Sequence, residues 1–142
     1  MKTEQIPILS HVDDRGFLYQ IYGNYEDKFP PVKRVYFVGN FSKGIIRGFH
    51  KHKEEWKSYF VSSGSAKFVV VDEDNKISVY ILGSRNPAVL IVPPEHFHGW
   101  ISLEENTTLI GMSNKSLEES LNDDIRTDPF TFGRELWEVK AR

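Results

Sequence analysis

The stretch that decides the fold is GIIRGFHKHKEEWKSYFVSSG, residues 44–64, in which one residue separates His50 from His52 and Lys57 follows five residues after His52. β-Branched and aromatic residues flank a charged KEE turn, so the segment reads as strand, turn and strand. Side chains alternate between the two faces of a strand, and His50, His52 and Lys57 then converge on one side of a sheet. The same alternation puts Ile46, Gly48, His50 and His52 on one face and Ile45, Arg47, Phe49 and Lys51 on the other. Gly48 inside this pattern marks a bulge or a close approach, which leaves the face of Arg47 open. Beyond the turn Lys57 and Tyr59 share a face, unless the turn shifts the register by one. A second cluster, Pro93-Pro94-Glu95-His96-Phe97-His98-Gly99, means that four of the five histidines fall into two HxH pairs.

Outward from this stretch the chain keeps a short rhythm. Upstream, residues 6–9 and 17–22 are apolar around the polar turn Asp13-Asp14-Arg15-Gly16, and Pro30-Pro31 leads into a strand over 32–38. On that strand Tyr36 and Val38 share a face with Asn40. Downstream, 62–65 and 72–75 are turns, 66–71 reads as a strand buried on nearly both sides, and 77–82, 88–92 and 107–112 complete the series. Short strands at roughly 10-residue spacing point to a β-sandwich or barrel rather than βαβ units. Residues 116–121 read as a short capped helical turn, Asp128-Pro129 as a loop entry, and 136–142 as a last strand or a frayed tail. No repeat, low-complexity run or linker divides the chain, so a single domain over 1–142 is expected.

A chain of 142 residues can bury a core without covalent staples. Its 13% aromatic content favours strands, and a net charge of −2 argues against a nucleic-acid partner held by a general basic patch. The absence of cysteine excludes disulfides, thiolate catalysis and Cys-ligated metals. The opening MKTEQIPILSHVDD has neither a basic n-region nor an apolar h-region, and no run approaches a membrane span. A cytoplasmic protein without a membrane partner is expected.

The spacing of Gly44, His50, His52, position 57 and Gly64 matches the first cupin motif. Pro93 and His98 keep the separation of the second, although Glu95 replaces the usual Gly and Ser102 the usual Asn. The chain therefore resembles the cupins over about residues 32–112. The resemblance implies an all-β double-stranded β-helix (cupin, or jelly roll), with the short helical turn near the C-terminus. In metal-binding cupins a glutamate stands at position 57 and joins the histidines on a divalent ion. Here the residue is Lys57, whose ammonium repels a cation and has no lone pair while protonated. No metal and no cofactor are expected. The same ammonium suits an anion, either a phosphate or an enolate oxygen.

Within the cupins the chain is similar to two families acting on nucleotide-diphospho-4-keto-6-deoxy sugars. It resembles the dTDP-4-dehydrorhamnose 3,5-epimerases in Asp14-Arg15-Gly16-Phe17, in Asn40 and Ser42, in Arg47-Gly48-Phe49-His50, in Lys57, in the His98-Gly99 region and in Asp128-Pro129. It resembles the dTDP-4-keto-6-deoxyglucose 3,4-ketoisomerases in its short length, in Lys33-Arg34-Val35-Tyr36 and in the doubled histidine of RGFHKHK. Three epimerase features are missing. The strand after the second histidine motif holds no tyrosine, Val38 replaces a glutamine, and the late segment that gives the base histidine an aspartate partner is expected to be absent.

The resemblance implies an isomerase of deoxysugar and surface polysaccharide biosynthesis, most simply 3,5-epimerase-like, with the 3,4-ketoisomerase as alternative. A ketone at C4 acidifies the hydrogens on its neighbours, so the reaction needs a base, a cation for the enolate oxygen and an acid. His50 is the expected base. His52 is a second proton carrier or fixes the tautomer of His50, Lys57 steadies the enolate or a phosphate, and Tyr36 is the expected acid. Arg47 and Arg15 are the expected pyrophosphate ligands, with Arg15 reaching a neighbouring subunit's site in a strand-exchanged homodimer. Asn40, Tyr59 and His98 complete the expected substrate-binding set, and His96 is expected to do no chemistry. Trp56 and Trp100 either stack on a base or sugar or fill core. Plainer readings stand beside these: a hydrogen-bonded sheet histidine for His50, an exposed-strand residue for His52, a solvated lysine for Lys57 and a core residue for Tyr59. A metal cupin using His50, His52 and His98, and a catalytically silent sugar-nucleotide-binding domain, are the remaining alternatives.

Overall fold

The computed structural model describes residues 1–23, 25 and 27–142. Among them the strands run, in chain order, β1 (Glu4–Pro7), β2 (Ser10–Asp13), β3 (Gly16–Tyr19), β4 (Arg34–Asn40), β5 (Ile46–Lys51), β6 (Lys57–Ser63), β7 (Ser65–Val71), β8 (Ile77–Gly83), β9 (Ala88–Val92), β10 (Phe97–Ser102), β11 (Thr107–Ser113) and β12 (Ile125–Arg126). A single α-helix among the described residues, α1 (Leu117–Leu121), falls where the sequence placed a capped turn. Ser116 accepts from the Glu119 amide while the Glu119 carboxylate accepts from the Ser116 amide, a closed capping box.

The strands form two five-stranded antiparallel sheets in the orders β1-β9-β6-β11-β4 and β12-β5-β10-β7-β8, with β2 and β3 as a separate hairpin. Tyr59, Val61, Phe68, Val70, Leu82, Leu90, Trp100 and Leu109 fill the space between the sheets. This is the double-stranded β-helix that the cupin motifs led us to expect. A second cluster on the outer face of the first sheet joins Phe60, Val89, Ile91 and Met112 to Ile8, Tyr25 and Phe29 from the N-terminal region. A third, on the outer face of the second sheet, joins Phe49, Val69 and Ile101 to Trp137. Because both outer faces are covered, β7 and β9 have buried side chains on both sides, which is why their sequences read as nearly unbroken apolar runs.

The C-terminal segment forms no last strand: residues 138–142 are an exposed tail, and the ordered element lies just before them. Arg134–Trp137 form a 3₁₀ helix, Trp137 packs 5.2 Å from the Phe49 ring, and its indole N–H donates to the Pro129 carbonyl at 2.6 Å. The apolar outer face of β5 and β10 needs such a cover, and a lone strand could not supply it. Cover is incomplete at the edge strand β4, where Val35 and Phe37 project into solvent, and on the hairpin, where Val12, Phe17 and Leu18 do the same.

Candidate functional site

A cavity of about 500 Å³ opens between the two sheets and draws its wall from both. From the second sheet come Arg47 and His50 on β5 and His98 on β10; from the first come Tyr36 on β4 and Lys57 and Tyr59 on β6. His52, just beyond β5, also lines it, so all four residues expected to carry chemistry meet in one space. His50 and His98 are direct cross-strand partners, with ring centroids 6.5 Å apart, and His52 lies 5.6 Å from His98. Lys57 is 8% exposed, so its ammonium points inward and the KEE turn does not flip the strand.

The local irregularity at Gly48 decides the position of Arg47. His98 pairs with His50 but Trp100 pairs with Arg47, so β5 carries one more residue than its partner across this interval. The bulge brings Arg47 onto the cavity side with His50, while Ile46 packs in the outer cluster with Phe49. Strict alternation had grouped Ile46 with His50, and the extra residue overturns that grouping. A Cβ added at Gly99 would lie 2.8 Å from the Arg47 carbonyl and 3.2 Å from the Gly48 Cα, so the strands meet here only because neither residue has a side chain. The Arg47 Nε donates to Asn40 Oδ1 at 2.8 Å, and Asn40 in turn donates to the Ile45 carbonyl and Ser102. Asn40 thus stands behind Arg47 and holds it, rather than forming part of the cavity wall.

Each histidine of the first pair is oriented through Nδ1 by residues 123–124. His50 Nδ1 lies 3.1 Å from Asp124 Oδ1, and His52 Nδ1 lies 2.5 Å from the Asp123 carbonyl oxygen. A proton on Nδ1 satisfies both contacts and leaves each Nε2 with a lone pair. The expectation that the base histidine lacks an aspartate partner is therefore corrected: Asp124 fills that place, carried on the segment entering β12, which pairs with β5. The Asp123 carboxylate accepts from the amides of Lys53, Glu54 and Glu55 and so fixes the turn between the histidines and Lys57.

Burial lowers the His52 pKa, a shift only partly offset by the Asp123 carbonyl and Glu55. Burial pushes His98 well below the ordinary imidazole value, with His52 adding to the effect. Both rings are neutral near pH 7. Burial also drives the Tyr59 phenol well above its usual range, and Tyr36 raises it further. Burial acts to raise Asp124, but hydrogen bonds from Arg126 and His50 outweigh it and hold the carboxylate below its usual value.

Behind the cavity wall sits a carboxylate that the sequence reading passed over as part of a charged turn. Glu55 is 0% exposed; Ser113 donates to its Oε2 at 2.5 Å and Ser120 to its Oε1 at 2.8 Å. Arg34 lies 3.4 Å from Oε2 and the Lys57 ammonium 3.5 Å. Lys57 in turn stands 3.4 Å from the Tyr36 hydroxyl and 4.9 Å from its ring centroid. Tyr36 is opposite Gly111 on β11, and a Cβ there would collide with its ring. The strand expected to hold a tyrosine thus carries a glycine that makes room for one from its neighbour.

Other expected residues fall elsewhere. Arg15 lies at the β2–β3 turn, 87% exposed and bound to Asp13, and this chain's own cavity does not include it. Trp56 packs against Phe29 in the outer cluster, and Trp100 packs on Phe68 at the base of the cavity. His96 is buried with Nδ1 2.8 Å from the Pro94 carbonyl, outside the main cavity. The sequence reading missed Arg34, Glu55, Asp123, Asp124 and Arg126. Parity was a usable signal for two of these, since Glu55 alternates in step with Lys57 and Tyr59, and Arg34 with Tyr36 and Val38.

The cavity thus holds an imidazole braced by a carboxylate, an ammonium and a phenol. These are the parts needed to remove a proton beside a carbonyl and to stabilise the oxyanion that results. Among the described residues no three His, Asp or Glu side chains are grouped to hold a metal ion.

Known proteins resemble the chain along most of its length. The spore coat polysaccharide biosynthesis protein SpsL of Bacillus subtilis is 29% identical over 126 residues, which cover 84% of this chain and 83% of that protein. QdtA, a sugar 3,4-ketoisomerase from Thermoanaerobacterium thermosaccharolyticum, superposes with a TM-score of 0.74 at 24% identity, covering 90% of each chain. A dTDP-4-dehydrorhamnose 3,5-epimerase from Bacillus anthracis superposes with a TM-score of 0.79 at 24% identity, covering 88% of this chain and 78% of the other. The two structural likenesses establish a shared fold. The family described as FdtA: WxcM-like, C-terminal, matches residues 1–132, and the chain belongs to that family.

Proposed function

We propose that this chain is a cytoplasmic isomerase that acts without a metal on a nucleotide-diphospho-4-keto-6-deoxy sugar, inverting configuration beside the ketone as a 3,5-epimerase does. The observation that carries the proposal is the His50–Asp124 pair, which shares one cavity with the Lys57 ammonium and the Tyr36 phenol. In this mechanism His50 Nε2 takes the proton from the carbon next to the ketone. The C–H electrons form a C=C bond and the carbonyl electrons move onto oxygen. Lys57 donates to that enolate oxygen, and Asp124 stabilises the imidazolium that forms on His50. When the enolate collapses, Tyr36 returns a proton to the opposite face of the carbon and is reprotonated from solvent, to which His50 releases the proton that it took. Arg47, held by Asn40, supplies a guanidinium fork for the diphosphate.

A second reading is the 3,4-ketoisomerase. The site supports it through His52, whose neutral ring and free Nε2 lie in the same cavity. The likeness to QdtA, which covers 90% of each chain, supports it too. In that reaction a proton leaves C3 and another is delivered to C4, while the C3 hydroxyl loses its proton to become the new ketone and the C4 oxygen gains one to become a hydroxyl. His52 would carry one of these protons.

A homodimer belongs to the same proposal. Val35 and Phe37 on the β4 edge and Val12, Phe17 and Leu18 on the hairpin are exposed apolar side chains of a kind that a second copy covers. Arg15 at the hairpin tip would then reach a site outside its own chain. A role in surface polysaccharide biosynthesis is supported by the name of the relative SpsL.

Incubation with dTDP-4-keto-6-deoxyglucose in deuterated water, followed by proton NMR, tests the reading. Deuterium at C3 and C5 is the expected outcome for the epimerase, and a ketone moved to C3 is that for the ketoisomerase. No exchange with this or any other nucleotide-linked 4-keto sugar would overturn both.

A further inference from the structure

We propose that Glu55 is a positioning residue of the reaction, and that its buried carboxylate sets the place of the Lys57 ammonium. The inference rests on the functional reading above but concerns a group to which that mechanism gives no role.

The geometry is specific. Glu55 lies in the turn before β6, fully buried, and each of its oxygens is fixed by a serine hydroxyl, Ser113 from β11 and Ser120 from α1. So anchored, it faces two cations, Arg34 at 3.4 Å from β4 and Lys57 at 3.5 Å from β6. His52 Nδ1 stands 3.4 Å from the other oxygen. A fully buried carboxylate held this firmly persists because it is paired, and its charge acts undiluted by solvent on the groups beside it.

The charged and titratable groups around this ion pair are Arg34 and Tyr36 on β4, His50 on β5, His52 after it, Tyr59 on β6, His98 on β10, and Asp123 and Asp124 before β12. His52 and His98 are neutral near pH 7, and burial holds Tyr59 protonated. Glu55 is the carboxylate in direct contact with Lys57, whereas the Asp123 carboxylate is engaged by the amides of the turn and that of Asp124 by His50 and Arg126. Without it, Lys57 and Arg34 repel one another over the Tyr36 ring, from which they stand 4.9 Å and 5.3 Å. The ammonium then swings away from its place, which withdraws a cation from the enolate oxygen.

Ser120 extends the role to the rim, since it sits on α1 between Leu117 and Leu121, two exposed leucines that line the cavity mouth. One carboxylate thus links the wall that meets the reacting carbon to the element that meets the outer part of a substrate.

The test is Glu55→Gln, which keeps the shape and removes the charge. Expected is a fall in kcat of about tenfold to a hundredfold with KM changed by less than about threefold. A purely structural role would lower the yield or Tm and leave kcat per folded molecule unchanged. The activity-independent measurement is the extent of trace acetylation of Lys57 by acetic anhydride at one pH, read by mass spectrometry, which should rise by about threefold or more in the variant as the side chain leaves its buried place. An unchanged extent overturns the assignment whatever the activity, whereas a wild-type chain that exchanges no deuterium with any 4-keto sugar overturns only the functional reading. If Glu55→Gln does not fold, Glu55→Asp draws the charge back by one methylene. A smaller rise in the same direction then supports the assignment, and none overturns it.

Discussion

His50 Nδ1 lies 3.1 Å from the Asp124 carboxylate across 74 residues of sequence, and the contact fixes which ring nitrogen faces the cavity. A proton on Nδ1 satisfies this contact and leaves the Nε2 lone pair free, and in the proposed reaction the carboxylate would steady the imidazolium that forms when His50 acts as the base.

Asp124→Asn should leave the fold intact and lower the rate of solvent deuterium incorporation by about 10²-fold or more, within the range general-base catalysis contributes. The amide can present its NH₂ to Nδ1 and favour the other tautomer, so kcat should fall while KM changes little. Rapid-quench NMR of the exchange measures both. An unchanged kcat would remove Asp124 from the mechanism.

Lys57→Met should cost about 10²- to 10³-fold in kcat, the usual loss when a donor to a developing oxyanion is removed. It also leaves Glu55 with Arg34 as its remaining close cation, so Tm should fall as well. Calorimetry separates the two effects, since a stability loss alone would leave the activity of the folded fraction unchanged.

Acid should destabilise the chain in two windows. His52 and His98 are held below the ordinary imidazole value chiefly by burial. The unfolded chain therefore binds more protons than the folded one as pH falls, and stability falls with it. The contribution is complete above about pH 6.5 and is lost as pH drops from there through the folded values. Asp123 and Asp124, held low by hydrogen bonds that outweigh their burial, add a separate loss below about pH 4. Melting curves from pH 7 to 3 should show both, and His98→Asn should flatten the upper window alone. Parallel curves for the variant and the parent would refute this account of His98.

Gly99→Ala should destabilise the chain by about 2 kcal/mol or more, because the added methyl meets backbone on β5 rather than a side chain that can turn aside. Denaturant melts measure the cost. A loss under about 0.5 kcal/mol would mean that the β5 bulge relaxes freely.

Exhaustive dialysis against a chelator should leave the exchange rate within about twofold, since an ammonium stands where a metal-binding cupin places a carboxylate. Activity that is lost to the chelator and restored by one divalent ion would revive a metal role for His50, His52 and His98.

Much of this was legible in residue order. Turn residues between short apolar runs marked the strands, and the spacing of Gly44, His50, His52 and Gly64 marked the fold, because these signals are local and each strand must bury a face. Ser116 and Glu119 announced the cap on α1 for the same reason. The inward set of His50, His52, Lys57 and Tyr59 followed from alternation on either side of a turn. Arg47 did not follow, because a bulge changes parity without leaving a signal beyond a glycine.

Residue order by itself thus determined the strand series, the motif pair and an ammonium where a carboxylate would hold a metal. Only the tertiary structure decided what each group touches. It put Asp124 against His50, Asn40 behind Arg47, Tyr36 over Gly111 and Glu55 between two cations. These contacts join residues distant in sequence through sheet pairing and loop closure. Their energies depend on distance and burial, which no local pattern encodes.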